Sequence, residues 1–535
     1  MTLRTLLFAS SALALSSEAS LAFTLNILHV NDQHSRIESV TKTDSTCDAE
    51  GEAAGECFGG AARMKAAIDA ARADLEAKGE AVIVLDAGDE FSGSLFFTTF
   101  GGAAEVEMMN RIGFDAMALG NHEFDRGPET LAEFVAKADF PVLFGNVDAS
   151  GDNRLAPLAK DHVILEVGGE KVGIVSGLTP ETAEISSPGP SVTFGAVDAH
   201  LTEAVKALEA EGVTRIVALT HQGDVADLAT AAAVPGIDAI VGGHSHTLFS
   251  NTIEGAARPY PVMVAGASGA EVPVVQAGSY SKYLGHLRLE FDDAGVVTSA
   301  SGDTKLLDKS VTPDPEVLAR IEEMRAPIAA LMEEVVAEVA APVDGSRETC
   351  RAGECQMGNL VAEAMLDRVK GQGVTIALQN GGGLRASIDA GPVTKGEVLT
   401  VLPFQNTLST FNIPGSAIVS ALENGVSQVE EGGGRFPQVA GLRFAWDASV
   451  APGEGRIKSV EVREGDAWVP IDPAKTYSAV TNNFMRNGGD GYSALRDQGT
   501  NAYDYGPGLE DVLGDYLAAQ GDYVPFTDGR ITKVE

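Results

Sequence analysis

Short apolar or β-branched runs recur along the first three hundred residues: Leu25–Val30, Ala81–Leu85, Ala116–Leu119, Val172–Val175, Ile216–Leu219 and Ala239–Val241. Between them lie stretches with helical spacing, so the segment from Phe23 to about Thr312 reads as an α/β domain with buried strands. A second pattern follows at Thr312-Pro313-Asp314-Pro315, where Val317, Leu318, Ile321, Met324, Ile328, Leu331 and Val335 are spaced by three and four. That spacing predicts a helix with Asp314 as N-cap and Pro315 in its first turn, kinked at Pro327 and ended by Ala340-Ala341-Pro342. From Val343 a further α/β or α+β unit runs to Glu535, with strands expected at Val374–Leu378, Leu442–Trp446 and Tyr477–Thr481. The chain therefore divides into residues 23–312, a connecting helix and candidate hinge at 313–342, and a smaller unit at 343–535.

At 535 residues the chain exceeds one compact core, and its composition is that of ordinary globular protein. Residues 1–22 carry one basic residue (Arg4), an apolar run from Leu6 to Leu15 and a small-residue end at Ser20-Leu21-Ala22, the grammar of a cleaved secretory signal. The run is too short to span a bilayer, so export to a periplasmic or extracellular space is expected. Four cysteines in an exported chain suggest two disulfides; of three connectivities the local one, Cys47 with Cys57 and Cys350 with Cys355, is expected. Asp and Glu exceed Lys and Arg by 76 to 38, a net charge of −38 that argues against a nucleic-acid or anionic-membrane surface.

Candidate chemistry sits directly after the strands. Asn31-Asp32-Gln33-His34, Gly88-Asp89-Glu90, Gly120-Asn121-His122-Glu123-Phe124-Asp125, Thr220-His221-Gln222-Gly223 and Gly243-His244-Ser245-His246 each follow an apolar run, and five of the nine histidines lie in them. The carboxyl edge of an α/β sheet is where ligands bind. Any one of these residues alone reads as a turn or cap residue, but the five clusters together supply carboxylate, amide and imidazole donors without thiolate. Such a set suits two divalent ions, zinc foremost with manganese or cobalt as alternatives. Asp89 is the expected bridge, with Asp32, His34 and His246 completing one site and Asn121, His221 and His244 the other.

In the second half, Asn380-Gly381-Gly382-Gly383-Leu384-Arg385 follows a strand. Its glycines, Gly382 among them, let backbone N–H groups approach an anion, and Arg385 adds a bidentate contact. Arg351 lies between Cys350 and Cys355. Phe404 and Phe484 could sandwich a flat ring, and Asp490 could accept two ribose hydroxyls, although a lone Phe is more often core.

In order and spacing, the first five clusters resemble the calcineurin-like metallophosphoesterase domain, which implies an αββα sandwich with His122 and Asp125 as a catalytic dyad. A His at 246 is one variant of the last ligand position in that family. The later segments resemble the nucleotide-binding domain of the 5′-nucleotidase family, with the cysteine pairs nearest those of the animal ecto-enzymes. The resemblance implies that Arg351, Asn380 and Arg385 hold phosphate, Phe404 and Phe484 stack a base, and Asp490 binds ribose. Arg36 is a further candidate for the site. It implies hydrolysis of nucleoside 5′-monophosphates by attack of a metal-bound hydroxide, with domain rotation carrying substrate to the metals. A UDP-sugar hydrolase, a 2′,3′-cyclic phosphodiesterase with 3′-nucleotidase activity, and a surface nucleotide-binding protein with a vestigial site are the alternatives. A thiosulfate-type sulfohydrolase shares the fold, but the aromatic pair favours a nucleobase. The sequence ends at Ile531-Thr532-Lys533-Val534-Glu535 without a hydrophobic tail, so no lipid anchor is expected.

Overall fold

Alternation decides the first layers. In the strand Phe23–Val30, Leu25 and Ile27 face one side while Leu28 and Val30 face the other, and both sides are buried. The protein, described here from a computed structural model, is defined at residues 23–42, 44, 46–404, 406–465, 467–504 and 506–534. The expected signal segment at 1–22 lies outside the described residues.

Two six-stranded sheets form the centre of the first domain. One runs in the order Val297–Leu306, Tyr283–Phe291, Phe23–Val30, Ala81–Asp86, Ala116–Ala118, Val142–Leu143. The other runs Val262–Ala265, Glu271–Val275, Ala239–Gly242, Ile216–His221, Glu170–Leu178, His162–Val167. Leu25, Ile27, Ile83 and Leu85 from the first sheet share a core with Ile174, Val217, Leu219 and Ile240 from the second. On the outer face of the first sheet, Leu28, Val30 and Val84 pack with Met64, Ile68, Val106, Met109, Leu131 and Phe134 of the helices Ala61–Ala77, Ala103–Ile112 and Gly127–Lys137. The helix Val197–Ala210 covers the second sheet through Leu201, Val205 and Leu208. This is the expected αββα sandwich.

Phe23–Val30, Ala81–Asp86 and Ala116–Ala118 pair in parallel, as do Glu170–Leu178, Ile216–His221 and Ala239–Gly242. Parallel pairing brings their carboxyl ends to one edge, and with them the five polar clusters.

The segment at 313–342 departs from expectation. Asp314 caps the helix as predicted, its Oδ1 accepting the N–H groups of Glu316 and Val317 at 3.0 and 2.9 Å. The helix, however, is Pro315–Arg325, followed by a single turn at Ala329–Met332, and Val335–Val339 is a strand. Pro327 lacks an N–H and cannot continue the ladder, so the helix ends there rather than kinking. The strand, rich in β-branched valine, then pairs with Gly391–Thr394 and Asp522–Tyr523, a tertiary pairing that overrides helical spacing. Val317, Ile321 and Met324 bury against the first domain's core, whereas the strand belongs to the second domain's smallest sheet.

The second domain is built on a five-stranded sheet ordered Pro437–Ala440, Ile376–Asn380, Thr476–Asn482, Leu408–Pro414, Thr500–Tyr503. Ala377 and Val480 face one core, Ile376, Leu378 and Ala479 the other. A four-stranded sheet contains Leu442–Asp447 and the last strand, Ile531–Val534. Cys47 is bonded to Cys57 and Cys350 to Cys355, as expected. Among the described residues no helix is long and apolar enough to cross a membrane.

Candidate active site

Each polar cluster leaves its strand through a tight turn. Asp32, His34, Asp89, His244 and His246 all adopt positive φ, between 49° and 78°, a region that side chains other than glycine rarely enter. Such strain persists only where the surroundings impose it, and it concentrates at functional sites. The loops also press together. A Cβ on Gly120 would fall 2.3 Å from Asp89 Oδ1, and one on Gly88 would fall 2.5 Å from the Gly120 nitrogen, so both glycines are needed for the approach.

Three overlapping groups result, each with candidate ligand atoms within 4.8 Å of one another: Asp32 with His34 and His246, Asp89 with His221 and His244, and His34 with Asp89 and His122. The first two bring together members of the two expected ligand sets, Asp89 standing with His221 and His244 in the second. Asp89 Oδ2 is 3.0 Å from His221 Nε2 and 3.7 Å from His34 Nε2, while its Oδ1 accepts the His122 N–H at 2.8 Å. Asn121 Oδ1 sits 2.8 Å from His244 Nδ1, which brings the expected amide into the second group.

The ring orientations fit metal binding. His34 Nδ1 and His221 Nδ1 lie 3.2 and 2.7 Å from the Phe91 and Ala87 carbonyls, contacts that fix the proton on Nδ1 and turn Nε2 inward. His221 Nε2 is buried and makes no aimed hydrogen bond, although Asp89 is beside it. His34 Nε2 and His246 Nε2 face one another at 3.0 Å, close to Asp32 Oδ1. A cation shared by these atoms satisfies all of them. Burial holds His34, His244 and His246 well below the ordinary imidazole range, with Arg385, His221 and Arg347 respectively the next causes, so all three are neutral and offer lone pairs. Burial also lowers His221, but the Asp89 carboxylate outweighs it and raises the ring to about 10. A cation binding there must displace that proton.

Opposite these groups, across a cleft of about 1830 Å³ between the two domains, stand Arg351, Asn380, Gly382, Arg385, Phe404, Phe484 and Asp490. Every substrate-contact residue named from the sequence is on this wall. Asn380 Nδ2 donates to Asp490 Oδ2 at 2.6 Å, and Asn482 Nδ2 donates to Asn380 Oδ1 at 2.9 Å, which orients the Asn380 amide. The walls touch: an Arg385 Nη2 is 3.0 Å from His34 Nε2, and the Phe404 ring stacks on His122 with centroids 5.6 Å apart and 20° between planes. Phe484 instead packs against Gly489. Arg36 is buried under the Tyr280 ring, its guanidinium carbon 5.0 Å from the centroid, and is not part of the cleft wall.

Matches to known families are consistent with both halves. The calcineurin-like phosphoesterase family matches residues 25–248, and the 5′-nucleotidase, C-terminal domain family matches residues 335–497. The chain is 35% identical over 539 residues to the snake venom 5′-nucleotidase of Gloydius brevicauda, covering 96% of this chain and 90% of that protein. It is 36% identical over 531 residues to the 5′-nucleotidase of Homo sapiens, covering 95% and 91%. This chain belongs to the 5′-nucleotidase family. A crystal structure of the 5′-nucleotidase precursor from Thermus thermophilus shares the architecture with a TM-score of 0.91, 41% identity, and 96% and 100% coverage. As a member of this family the protein is a metal-dependent phosphoric-ester hydrolase.

Three features of this 5′-nucleotidase site had no signal strong enough to find them in the sequence. Glu123, fully buried, accepts the backbone N–H groups of Gly120, Asp89, Glu90 and Phe91 at 2.6, 3.0, 2.7 and 3.2 Å. One carboxylate thus fixes two ligand loops against each other. Asp125 Oδ2 meets His122 Nδ1 at 2.6 Å, the pairing the resemblance implied, but its two serine partners were not foreseen: Oδ2 also accepts the Ser92 hydroxyl, and Oδ1 accepts the Ser186 hydroxyl at 2.8 Å. Arg347, one helical turn before Arg351, also lines the cleft. Burial lowers both guanidiniums, Arg347 then repels Arg351, and Arg385 repels each, so the wall concentrates positive charge that an anion would relieve. The four-residue spacing from Arg347 to Arg351 was the one visible hint.

Proposed function

We propose that this family member is an exported 5′-nucleotidase that hydrolyses nucleoside 5′-monophosphates using two divalent ions, zinc foremost. The observation that carries the reading is a single cleft with carboxylate and imidazole groups on one wall and arginines, phenylalanines and Asp490 on the other. Asp32, His34 and His246 would hold one ion, Asn121, His221 and His244 the other, and Asp89 both. When bound, two such ions neutralise phosphoryl oxygens and lower the pKa of a water nucleophile.

The chain's own residues do the rest. Arg351, Arg385 and Asn380, with the backbone at Gly382, bind the phosphate; Phe404 and Phe484 stack against the base; Asp490 accepts from ribose hydroxyls. Burial lowers His122, but Asp125 and then Asp89 more than compensate, so the ring lies above its ordinary range and carries a proton. Held through Nδ1 by Asp125, it is placed to donate toward the leaving oxygen or to stabilise the phosphoryl oxygens. The residues between Pro315 and Val339 link the two walls and serve as the hinge that lets substrate in. Export is supported by the N-terminal pattern and the two disulfides.

A phosphate-release panel tests this: AMP, UMP, ADP, ATP, UDP-glucose, a 2′,3′-cyclic nucleotide and p-nitrophenyl phosphate. The expected result is the highest kcat/KM on a nucleoside 5′-monophosphate. Preference for UDP-glucose or the cyclic nucleotide would replace the reading with one of the alternatives on the same fold. N-terminal sequencing of the mature protein from its producing cell tests export, with Phe23 expected first.

A further inference from the structure

The two walls of the cleft meet beside the metal groups, where Arg385 is 3.0 Å from His34 Nε2 and Phe404 stacks on His122. With the hinge proposed above, contacts across these walls break and re-form as the domains part and close. A loop of the first domain touches both the dyad and the second domain. It leaves the strand Glu170–Leu178 and returns at Gly195, and Asn146 clamps its base. The Asn146 amide donates to the Leu178 and Gly195 carbonyls at 2.8 and 2.7 Å and accepts the Leu178 N–H at 2.7 Å. The Thr179 N–H donates to the His221 carbonyl at 2.9 Å, and the buried Thr182 hydroxyl donates to the Thr179 carbonyl at 2.7 Å.

From this fixed base the loop reaches in two directions. Toward the second domain, Glu181 Oε1 accepts from Gln428 Nε2 at 2.9 Å, and the turn Thr182–Ile185 packs against Gly489–Gly491, which carries Asp490. Toward the metals, the Ser186 hydroxyl donates to Asp125 Oδ1 at 2.8 Å, directly after that turn. Asp125 uses its other oxygen for His122 and Ser92, so the Ser186 bond fixes how the carboxylate is turned.

We propose that Ser186 is a positioning residue that reports domain closure to the His122–Asp125 pair: contact of Gln428 and the Asp490 turn with residues 181–185 sets the loop, and the loop sets the Asp125 carboxylate. The inference rests on the dyad role assigned above. It adds a coupling between the nucleoside-binding wall and the proton-holding pair that neither wall has alone.

A double-mutant cycle on kcat tests it. In the metal-loaded enzyme acting on AMP, Ser186→Ala should lower kcat by about 3- to 10-fold, part of the tenfold or more that a hydrogen bond to a charged group is worth, because Asp125 keeps its bonds to His122 and Ser92, with metal content and KM unchanged. Ser186→Thr, which keeps the hydroxyl, should recover most of the loss. Gln428→Ala should lower kcat by a smaller factor in the parent and by none in the Ser186→Ala background, because the relay is already cut. Losses that multiply, a loss carried by KM, or a Ser186→Thr variant as slow as Ser186→Ala would overturn the proposal. If the parent releases no phosphate from AMP, the functional reading has failed instead, and the two failures are distinct.

Discussion

Glu123→Gln is a one-atom change at a residue that touches no substrate. Its carboxylate is an acceptor at both oxygens: Oε1 takes the N–H groups of Glu90 and Phe91, Oε2 those of Asp89 and Gly120. A glutamine has one acceptor oxygen, so its NH₂ must confront one of these pairs. Two buried N–H groups lose their partner and two amide hydrogens gain none. Each lost hydrogen bond to a charged group costs about 1.5 to 3 kcal/mol, so the change should cost about 3 to 6 kcal/mol against a total stability of roughly 5 to 15. Burial, and then Asp89, pushes the Glu123 carboxyl up to about 7, and cations at Asp89 would cancel the second push, so the metal-loaded protein is the form to compare. Because the four donors belong to the Asp89 and Asn121 loops, the ligands should shift and metal affinity fall with stability. Denaturant unfolding and metal analysis of parent and variant test this. A variant within about 1 kcal/mol of the parent that keeps its full metal content would show that the loops are held by something else.

Phe404→Ala and Phe484→Ala should raise KM for AMP roughly ten- to a hundredfold, the scale of one base stack, and leave p-nitrophenyl phosphate turnover nearly intact; equal losses on both substrates would make the rings core rather than base contacts. His122→Asn should keep metals and AMP affinity and lower kcat by about 10²- to 10⁴-fold. A loss smaller on p-nitrophenyl phosphate than on AMP marks His122 as an acid, equal losses mark electrostatic stabilisation, and loss of metal would make it a ligand. Asp227 is buried and lifted to about 7 by that burial, so the folded chain keeps its proton where the unfolded chain has lost it. Its ionisation therefore costs stability as pH rises from about 4 to 7 and adds nothing above. Asp227→Asn cannot ionise, so its stability relative to the parent should rise by about 2 to 3 kcal/mol between pH 5 and 8 in chelator, and a pH-independent difference would refute the shift.

Residues whose partners are side chains of the same kind were legible in the sequence. Asp32, His34, Asp89, Asn121, His221, His244 and His246 each lie at or just past the end of a strand, and parallel pairing alone brings strand ends together, so the clusters converge once the α/β pattern is recognised. Glu123 was not legible, because three of its four partners are main-chain N–H groups some thirty positions upstream that no motif records. Ser92 and Ser186 are ordinary loop serines until folding sets them on Asp125. Val335–Val339 continues a helical spacing locally, and only its pairing with strands about fifty and nearly two hundred residues away makes it a strand. Both rings of the aromatic pair line the cleft, but the stacking of Phe404 on His122 was not legible, since that contact depends on how the two domains meet.

Asp89 is where the two metal groups join, so metal content and AMP turnover measured together on Asp89→Asn bear most directly on the whole account. The parent should hold two equivalents of divalent metal and release phosphate from AMP. Loss of the shared charge should empty or weaken both sites and abolish turnover. An Asp89→Asn enzyme that keeps both equivalents and a near-normal rate would contradict the proposed two-ion site.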